Sequence, residues 1–303
     1  MWRKSFLVFL LAMAGAAAPV AQAADLPALH LGSAHAIVVD DTTGEVLYEK
    51  DADTAAPIAS LTKLMTSMLV LDARQDLQEV IDVTADDLDR LKGTHSGVPP
   101  GTRATRQSLL ELALIASDNH AASALGRHYP GGLEAFRAAA AAKAAELGLA
   151  STVIEEPTGL SPHNRSTAQD MVKIVRAAGR YPEITEASSR SQQAVQLEDR
   201  VRAVKNTNRL VGAPGWNILL SKTGFTNEAG RCISMRLEAA GRTVAVVLMG
   251  AVGSAERALD AINIRRWLAG EPPLSGSALR AVKGPRVVKA VHGSKLRGKR
   301  RTG

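Results

Sequence analysis

The sequence holds a single cysteine, Cys232, so it can form no internal disulfide and offers no cysteine pair to a metal. Its seven histidines include no His-Glu-x-x-His pattern, which sets aside a zinc hydrolase of that kind. His95, His120 and His163 flank polar loops and read as surface or packing residues. No Gly-x-Ser-x-Gly string occurs, so the nucleophile elbow of an α/β-hydrolase is absent too. No helix-turn-helix, zinc-finger or other nucleic-acid signature is present, and nucleic acid is not expected as a partner. Nothing in the chain calls for a metal or a cofactor. Long hydrophobic runs are also missing: the apolar stretch from Phe6 to Ala18 is too short to span a bilayer, and no later one is longer. That stretch follows Trp2-Arg3-Lys4 and precedes Ala21-Gln22-Ala23, the pattern of a secretory leader over residues 1–23 removed before Ala24.

What the chain does contain is three short polar strings in one order: Ser60-Leu61-Thr62-Lys63, Ser117-Asp118-Asn119 and Lys222-Thr223-Gly224. A Ser-x-x-Lys string alone carries little, because a chain of this length should hold about one by chance. The three together read as a serine acyl-enzyme site. Ser60 precedes an apolar-periodic run, Leu61, Leu64, Met65, Met68 and Leu69, so it is expected at or near a helix N-terminus, where the helix dipole favours developing negative charge. Lys63 then lies one turn on, on the same face. A lysine can take a serine proton only if burial or neighbouring cations lower its pKa, and Lys222 is the obvious second cation. Ser117 to Asn119 separates two helical runs, where Ser117 can relay a proton and Asn119 can donate to a substrate carbonyl. Lys222 to Gly224 ends a run that reads as a strand from Trp216. Thr223 offers a hydroxyl there, and Gly224 lets a peptide backbone approach a sheet edge.

The wider pattern predicts mixed α and β structure, with one antiparallel sheet split in sequence and packed against a helical region. Ala34–Asp40 and Glu45–Glu49 form a hairpin, residues 60 to about 179 are mainly helical, and the alanine-rich run Leu133–Leu147 is a scaffold helix. Strands follow at Ile218–Lys222, Cys232–Glu238 and Thr243–Gly250, with a closing helix from Ser254 to about Gly270. Cys232 falls in an alternating run and is expected to be a buried structural thiol.

The chain resembles the low-molecular-mass penicillin-binding proteins, and most closely their periplasmic D-alanyl-D-alanine endopeptidase branch, of the serine β-lactamase/transpeptidase-like fold. The likeness rests on the three strings and on Gly97-Val98-Pro99-Pro100-Gly101-Thr102, Tyr129-Pro130-Gly131-Gly132, Glu156-Pro157-Thr158-Gly159-Leu160-Ser161 and Phe225-Thr226-Asn227. It implies Ser60 as the acylated nucleophile, Lys63 as its general base, and Ser117 and Lys222 as proton-relay and electrostatic partners. It further implies that Asn119 and Thr223 hold the peptide, beside Gly224, and that the backbone N–H groups of Ser60 and Phe225 form the oxyanion hole. The implied partners are peptidoglycan as substrate and β-lactam antibiotics as covalent inhibitors, in the periplasm. A class A β-lactamase needs a glutamate to activate the deacylating water; Glu155 and Glu156 lie in a suggestive region, but their surroundings match the peptidase likeness instead. A non-catalytic wall-binding protein is disfavoured by the intact Ser60 and Lys63. Carboxypeptidase is the alternative bond choice. Membrane-tethered carboxypeptidases of this kind carry a further β-rich domain and an anchor, and the 33 residues after Gly270 are too few for one, which favours the endopeptidase branch.

The domain expected over residues 24–279 is followed by a basic tail, 280–303, expected to be disordered. Nine basic residues and no acidic one lie between Arg280 and Arg301, so the formal charge of +7 is a property of the tail. Without the tail and the leader's Arg3 and Lys4, the body stands near −4. The tail reads either as a solvated segment or as a contact for the anionic wall or a membrane surface. Binding to isolated sacculi separates the two. A contact predicts binding that weakens steeply from low to physiological salt, as screening tightens toward about 8 Å, and that drops when the tail is deleted; equal binding with and without it supports the solvated reading.

Overall fold

The computed structural model describes residues 28–275; the expected leader and the basic tail lie outside them. The strands are β1 (His35–Asp40), β2 (Val46–Lys50), β3 (Ala56–Pro57), β4 (Val80–Asp82), β5 (Arg103–Thr105), β6 (Arg165–Ser166), β7 (Gln192–Gln196), β8 (Val201–Lys205), β9 (Asn217–Thr226), β10 (Gly230–Ala239) and β11 (Arg242–Ala251). The α-helices are α1 (Thr62–Asp72), α2 (Arg106–Ile115), α3 (Asn119–Arg127), α4 (Gly132–Glu146), α5 (Ala168–Ala178), α6 (Pro182–Ser189) and α7 (Ser254–Leu268).

Five strands make the main antiparallel sheet in the order β2-β1-β11-β10-β9, so its two halves come from opposite ends of the described chain. The two-residue periodicity of each strand sends alternate side chains to two separate cores. Ile37 and Val39 of β1, Cys232 of β10 and Ala245, Val247 and Met249 of β11 face the helical region. Ala36 and Val38, Ile233, Met235 and Leu237, and Val244, Val246 and Leu248 face the other way, onto Ala261, Ile264 and Trp267 of α7. The central strand β11 is therefore covered on both faces, which is why its sequence reads as an unbroken apolar run. Cys232 is fully buried, and burial pushes its thiol up to about 11, in keeping with a structural role.

Helix α1 crosses the middle of the helical region and is buried from Thr62 to Val70. An apolar stripe would not suffice there; the helix is covered all round, and its polar residues must find partners inside. Asp118 caps α3 by accepting from the Ala121 N–H at 3.1 Å, so Asn119, read from the sequence as part of the break between two helical runs, is the first residue of the helix. The stretch from 60 to 179 also contains strands: β4 pairs with β5, and β6 pairs with β3, which precedes the stretch. Their two- and three-residue lengths leave no periodicity to read. Strand β9 extends past its expected end at Lys222, through Thr226, and carries Lys222-Thr223-Gly224 inside it at the free edge of the sheet.

Helix α7 is latched to the segment before β1 by Asp260, a buried carboxylate that accepts from Gly32 N at 2.9 Å, Ser33 N at 2.8 Å and Ser33 Oγ at 2.6 Å. Asp260→Ala leaves these donors without an acceptor. Urea unfolding of the variant is expected to show a loss of about 2–4 kcal/mol, from a lower midpoint at unchanged slope.

Candidate active site

Ser60 sits in a single turn of 3-10 helix, Ala59–Leu61, that runs directly into α1. It is not a helix cap, because Leu61 occupies that position, and its hydroxyl is left for other work. One turn on, Lys63 Nζ donates to Ser60 Oγ at 2.9 Å, to Asn119 Oδ1 at 2.7 Å and to the Thr158 carbonyl at 2.7 Å. Three acceptors thus surround an ammonium with no exposed surface. Burial pulls the Lys63 pKa down to about 8, against the upward pull of the Glu156, Asp118 and Asp89 carboxylates. Burial, and not the second cation, is the agent here. Lys222 is also fully buried and is held well below its ordinary range, first by burial and then by repulsion from Lys63.

Lys222 Nζ donates to Ser117 Oγ at 2.8 Å and to the Thr223 carbonyl at 2.8 Å, tying the second and third strings together across the cleft. Ser117 has φ +58°, a left-handed conformation that costs a non-glycine residue about 1–2 kcal/mol. It is held there between the end of α2 and the Asp118 cap. The Asp118 carboxylate also accepts from Ser96 Oγ at 2.7 Å and from Arg202 Nη1 at 3.2 Å. Asn119 spends its oxygen on Lys63 and its Nδ2 on Thr94 Oγ1 at 2.7 Å. Thr223 Oγ1 donates to Thr207 Oγ1 at 2.7 Å.

Two glycines let backbone approach the Ala59–Ser60 turn. A Cβ on Gly224 would lie 3.0 Å from Ser60 N, so β9 runs beside the Ser60 amide. A Cβ on Gly159, whose φ is +84°, would lie 1.9 Å from the Ala59 carbonyl oxygen. Ala59 itself has φ +47°, so the turn ahead of Ser60 is held in a disfavoured conformation by what packs on it.

These groups line a cleft of about 730 Å³ containing Ser60, Ser117, Asn119, Thr223, Gly224 and Phe225. Lys63 and Lys222 stand behind its wall. Every residue of the three strings proposed for the chemistry is brought to this one place. The cleft also holds groups that the sequence reading did not single out. Thr207, Arg209, Arg231 and Arg257 contribute to its lining. Arg231 is the cross-strand partner of Phe225 and lays its guanidinium 3.5 Å from the centre of that ring, which is 45% exposed. Arg257 is lowered by burial and by Arg231, and donates to the Cys232 carbonyl at 3.0 Å. A cleft lined by Ser60 and by these guanidinium groups can hold a carboxylate close to the Ser60 hydroxyl. Arg231 adjoins a strand pattern that was read, but nothing in an isolated arginine marks it as a cleft residue. The Thr158 carbonyl carries no side-chain signal at all.

Residues 20–253 match the family model described as D-alanyl-D-alanine carboxypeptidase, peptidase S11. A D-alanyl-D-alanine endopeptidase of Pseudomonas aeruginosa is 41% identical over 265 residues, covering 87% of this chain and 86% of that protein. One of Escherichia coli is 42% identical over 240 residues, covering 78% and 77%. Among solved structures, penicillin-binding protein D2 of Listeria monocytogenes in its ampicillin-bound form superposes with a TM-score of 0.69 at 29% identity, over 78% of this chain and 97% of that one.

Gly159 and Gly101 give a paired test of the close approach at Ser60. Both have positive φ, but a Cβ on Gly101 meets nothing within 4 Å. Gly101→Ala is expected to cost about 1–2 kcal/mol and to leave penicillin labelling unchanged. Gly159→Ala should cost more and should slow labelling of the folded fraction at least about tenfold, because the turn before Ser60 must move. Equal effects of the two substitutions would contradict the packing described.

Proposed function

The chain belongs to the peptidase S11 family of serine peptidases, and within that family we propose that it hydrolyses D-alanyl-diaminopimelate cross-links of peptidoglycan through an acyl-enzyme on Ser60. One observation carries the chemistry: a buried Lys63 amine held 2.9 Å from the Ser60 hydroxyl. Burial draws its pKa down to about 8, which brings the free amine toward the neutral pH range. That amine takes the Ser60 proton as Oγ attacks the carbonyl carbon of the D-alanyl residue. Negative charge develops on the carbonyl oxygen, facing the N–H groups of Ser60 and Phe225. The C–N bond then breaks, and the departing amine receives a proton through Ser117, which Lys222 orients. Water attacks the resulting ester, Ser60 recovers its proton, and the free D-alanyl carboxylate leaves. With a β-lactam the bond broken is the ring amide, and the leaving amine stays tethered to the acyl group, which would make such compounds lasting inhibitors.

The two relatives bearing the endopeptidase name support the choice of bond. The cationic lining supports the substrate class: the amino acid on the leaving side of a D-alanyl-diaminopimelate cross-link carries a carboxylate on the carbon next to the scissile nitrogen. A terminal D-alanine carries the same group, so carboxypeptidase activity, the function for which the family is described, is the second reading. Asn119 and Thr223 would align the peptide along the edge of β9. Export to the periplasm follows from the leader pattern; among the described residues no helix is long and apolar enough to cross a membrane.

Mass spectrometry of the purified protein with a penicillin should find one adduct, on Ser60. Ser60→Ala should abolish it, and Lys63→Ala should slow its formation by about 10²- to 10⁴-fold. An adduct on Ser60→Ala protein would refute the assignment. Cross-linked dimeric muropeptides should be converted to monomers; release of free D-alanine from uncross-linked pentapeptides as the sole activity would select the second reading.

A further inference from the structure

Glu156 belongs to the loop between α4 and α5, and its carboxylate gathers that loop around itself. Oε2 accepts from Thr158 N at 2.7 Å and Thr158 Oγ1 at 2.5 Å. Oε1 accepts from Gly159 N at 2.6 Å, Ser161 N at 3.3 Å and Asn164 Nδ2 at 3.1 Å. The gathered loop is fastened to α1 at three points. Asn164 Nδ2 reaches Thr62 Oγ1 at 3.1 Å, Thr66 Oγ1 donates to the Pro157 carbonyl at 2.7 Å, and Lys63 Nζ donates to the Thr158 carbonyl at 2.7 Å. Both donor groups of Thr158 point at Glu156 while its carbonyl points at Lys63.

We propose that Glu156 is the positioning residue of Lys63, holding the Thr158 carbonyl as the third acceptor of its amine and supplying the negative charge that faces it from the loop. The inference rests on Lys63 being the base.

The groups facing Lys63 come from four sides. Glu156 lies in the loop, Asp118 at the start of α3, Asp89 in the segment between β4 and β5, and Lys222 on β9. Asp118 is engaged by Ser96, Gly97, Ala121 and Arg202, and Asp89 by the backbone of Leu91, Lys92 and Thr94 and the Thr94 hydroxyl. Among the three carboxylates, Glu156 exerts the largest upward pull on Lys63. The sign follows directly. Removing its charge, and with it the fixed carbonyl, favours the neutral amine, so Lys63 would lose its proton at lower pH. The same loss frees the amine to wander from Ser60, so the rate at high pH would fall. A loop acting merely as scaffold would lower the rate at every pH and leave the midpoint alone.

The test is the pH dependence of penicillin acylation of the full chain, measured with a fluorescent penicillin. The wild-type rate should rise with pH to a plateau, with a midpoint at about 8. In Glu156→Gln the midpoint should move acid by roughly 0.5–1 unit and the plateau should fall about tenfold. Glu156→Asp keeps the charge with a shorter reach, so its plateau should fall while its midpoint stays near the wild-type value. It also serves if the glutamine variant fails to fold. A Glu156→Gln midpoint that is unchanged or moves to higher pH overturns the inference, as does a Glu156→Asp plateau equal to wild type. A wild-type profile without a limb near pH 8, or rapid acylation of Lys63→Ala, would instead overturn the base assignment, and this inference with it.

Discussion

The burial of the Lys63 ammonium among three oxygen acceptors is the constraint around which the structure is arranged. A charge taken out of water is costly unless it is fully hydrogen-bonded, and a lysine in that position titrates far below its ordinary value. The fold meets the requirement from three directions at once: Ser60 from the turn before α1, Asn119 from the start of α3 and Thr158 from the loop before α5. Helix α1 has to lie at the centre of the helical region for these to converge. Its burial on all sides is thus a requirement of the site as well as of the core.

Local conformations of the chain bend to the same end. Ala59 and Ser117 are the residues next to or within the proposed chemistry that take left-handed backbone angles without being glycine. Gly159 and Gly224 remove side chains where the 156–164 loop and the edge of β9 press on the Ala59–Ser60 turn. The second buried lysine, Lys222, repeats the arrangement on the strand side and is repelled by the first. That repulsion falls on Lys222, while Lys63 is drawn toward the neutral state by its own burial.

Much of this was legible in the sequence, for definite reasons. Each of the three strings is contiguous, so their occurrence together and in order marked Ser60, Lys63, Ser117, Asn119 and Lys222. Strands β10 and β11 and helix α7 are long enough for their periodicity to declare them. Other features had no local signal. Strand β9 passes through Lys222-Thr223-Gly224 because pairing with β10 continues to Gly230, a tertiary fact that a glycine in the run obscured. The strands β3 to β6 are two or three residues long and exist through their partners. The sequence named burial and a neighbouring cation as the two ways to lower the Lys63 pKa without choosing between them; burial leads, and it belongs to the whole fold. Glu156 was noticed only as a possible water-activating residue. Its fan of hydrogen bonds to its own loop, and through Thr158 to Lys63, emerges only when the chain is folded.

The most direct test of the account is the titration of Lys63 itself. In protein labelled with ¹³C at lysine Cε, the Lys63 resonance, identified by its absence from Lys63→Ala, should titrate with a midpoint near 8. A midpoint near the ordinary lysine value of about 10.4 would mean that the amine is protonated at working pH, and the proposed base would be contradicted.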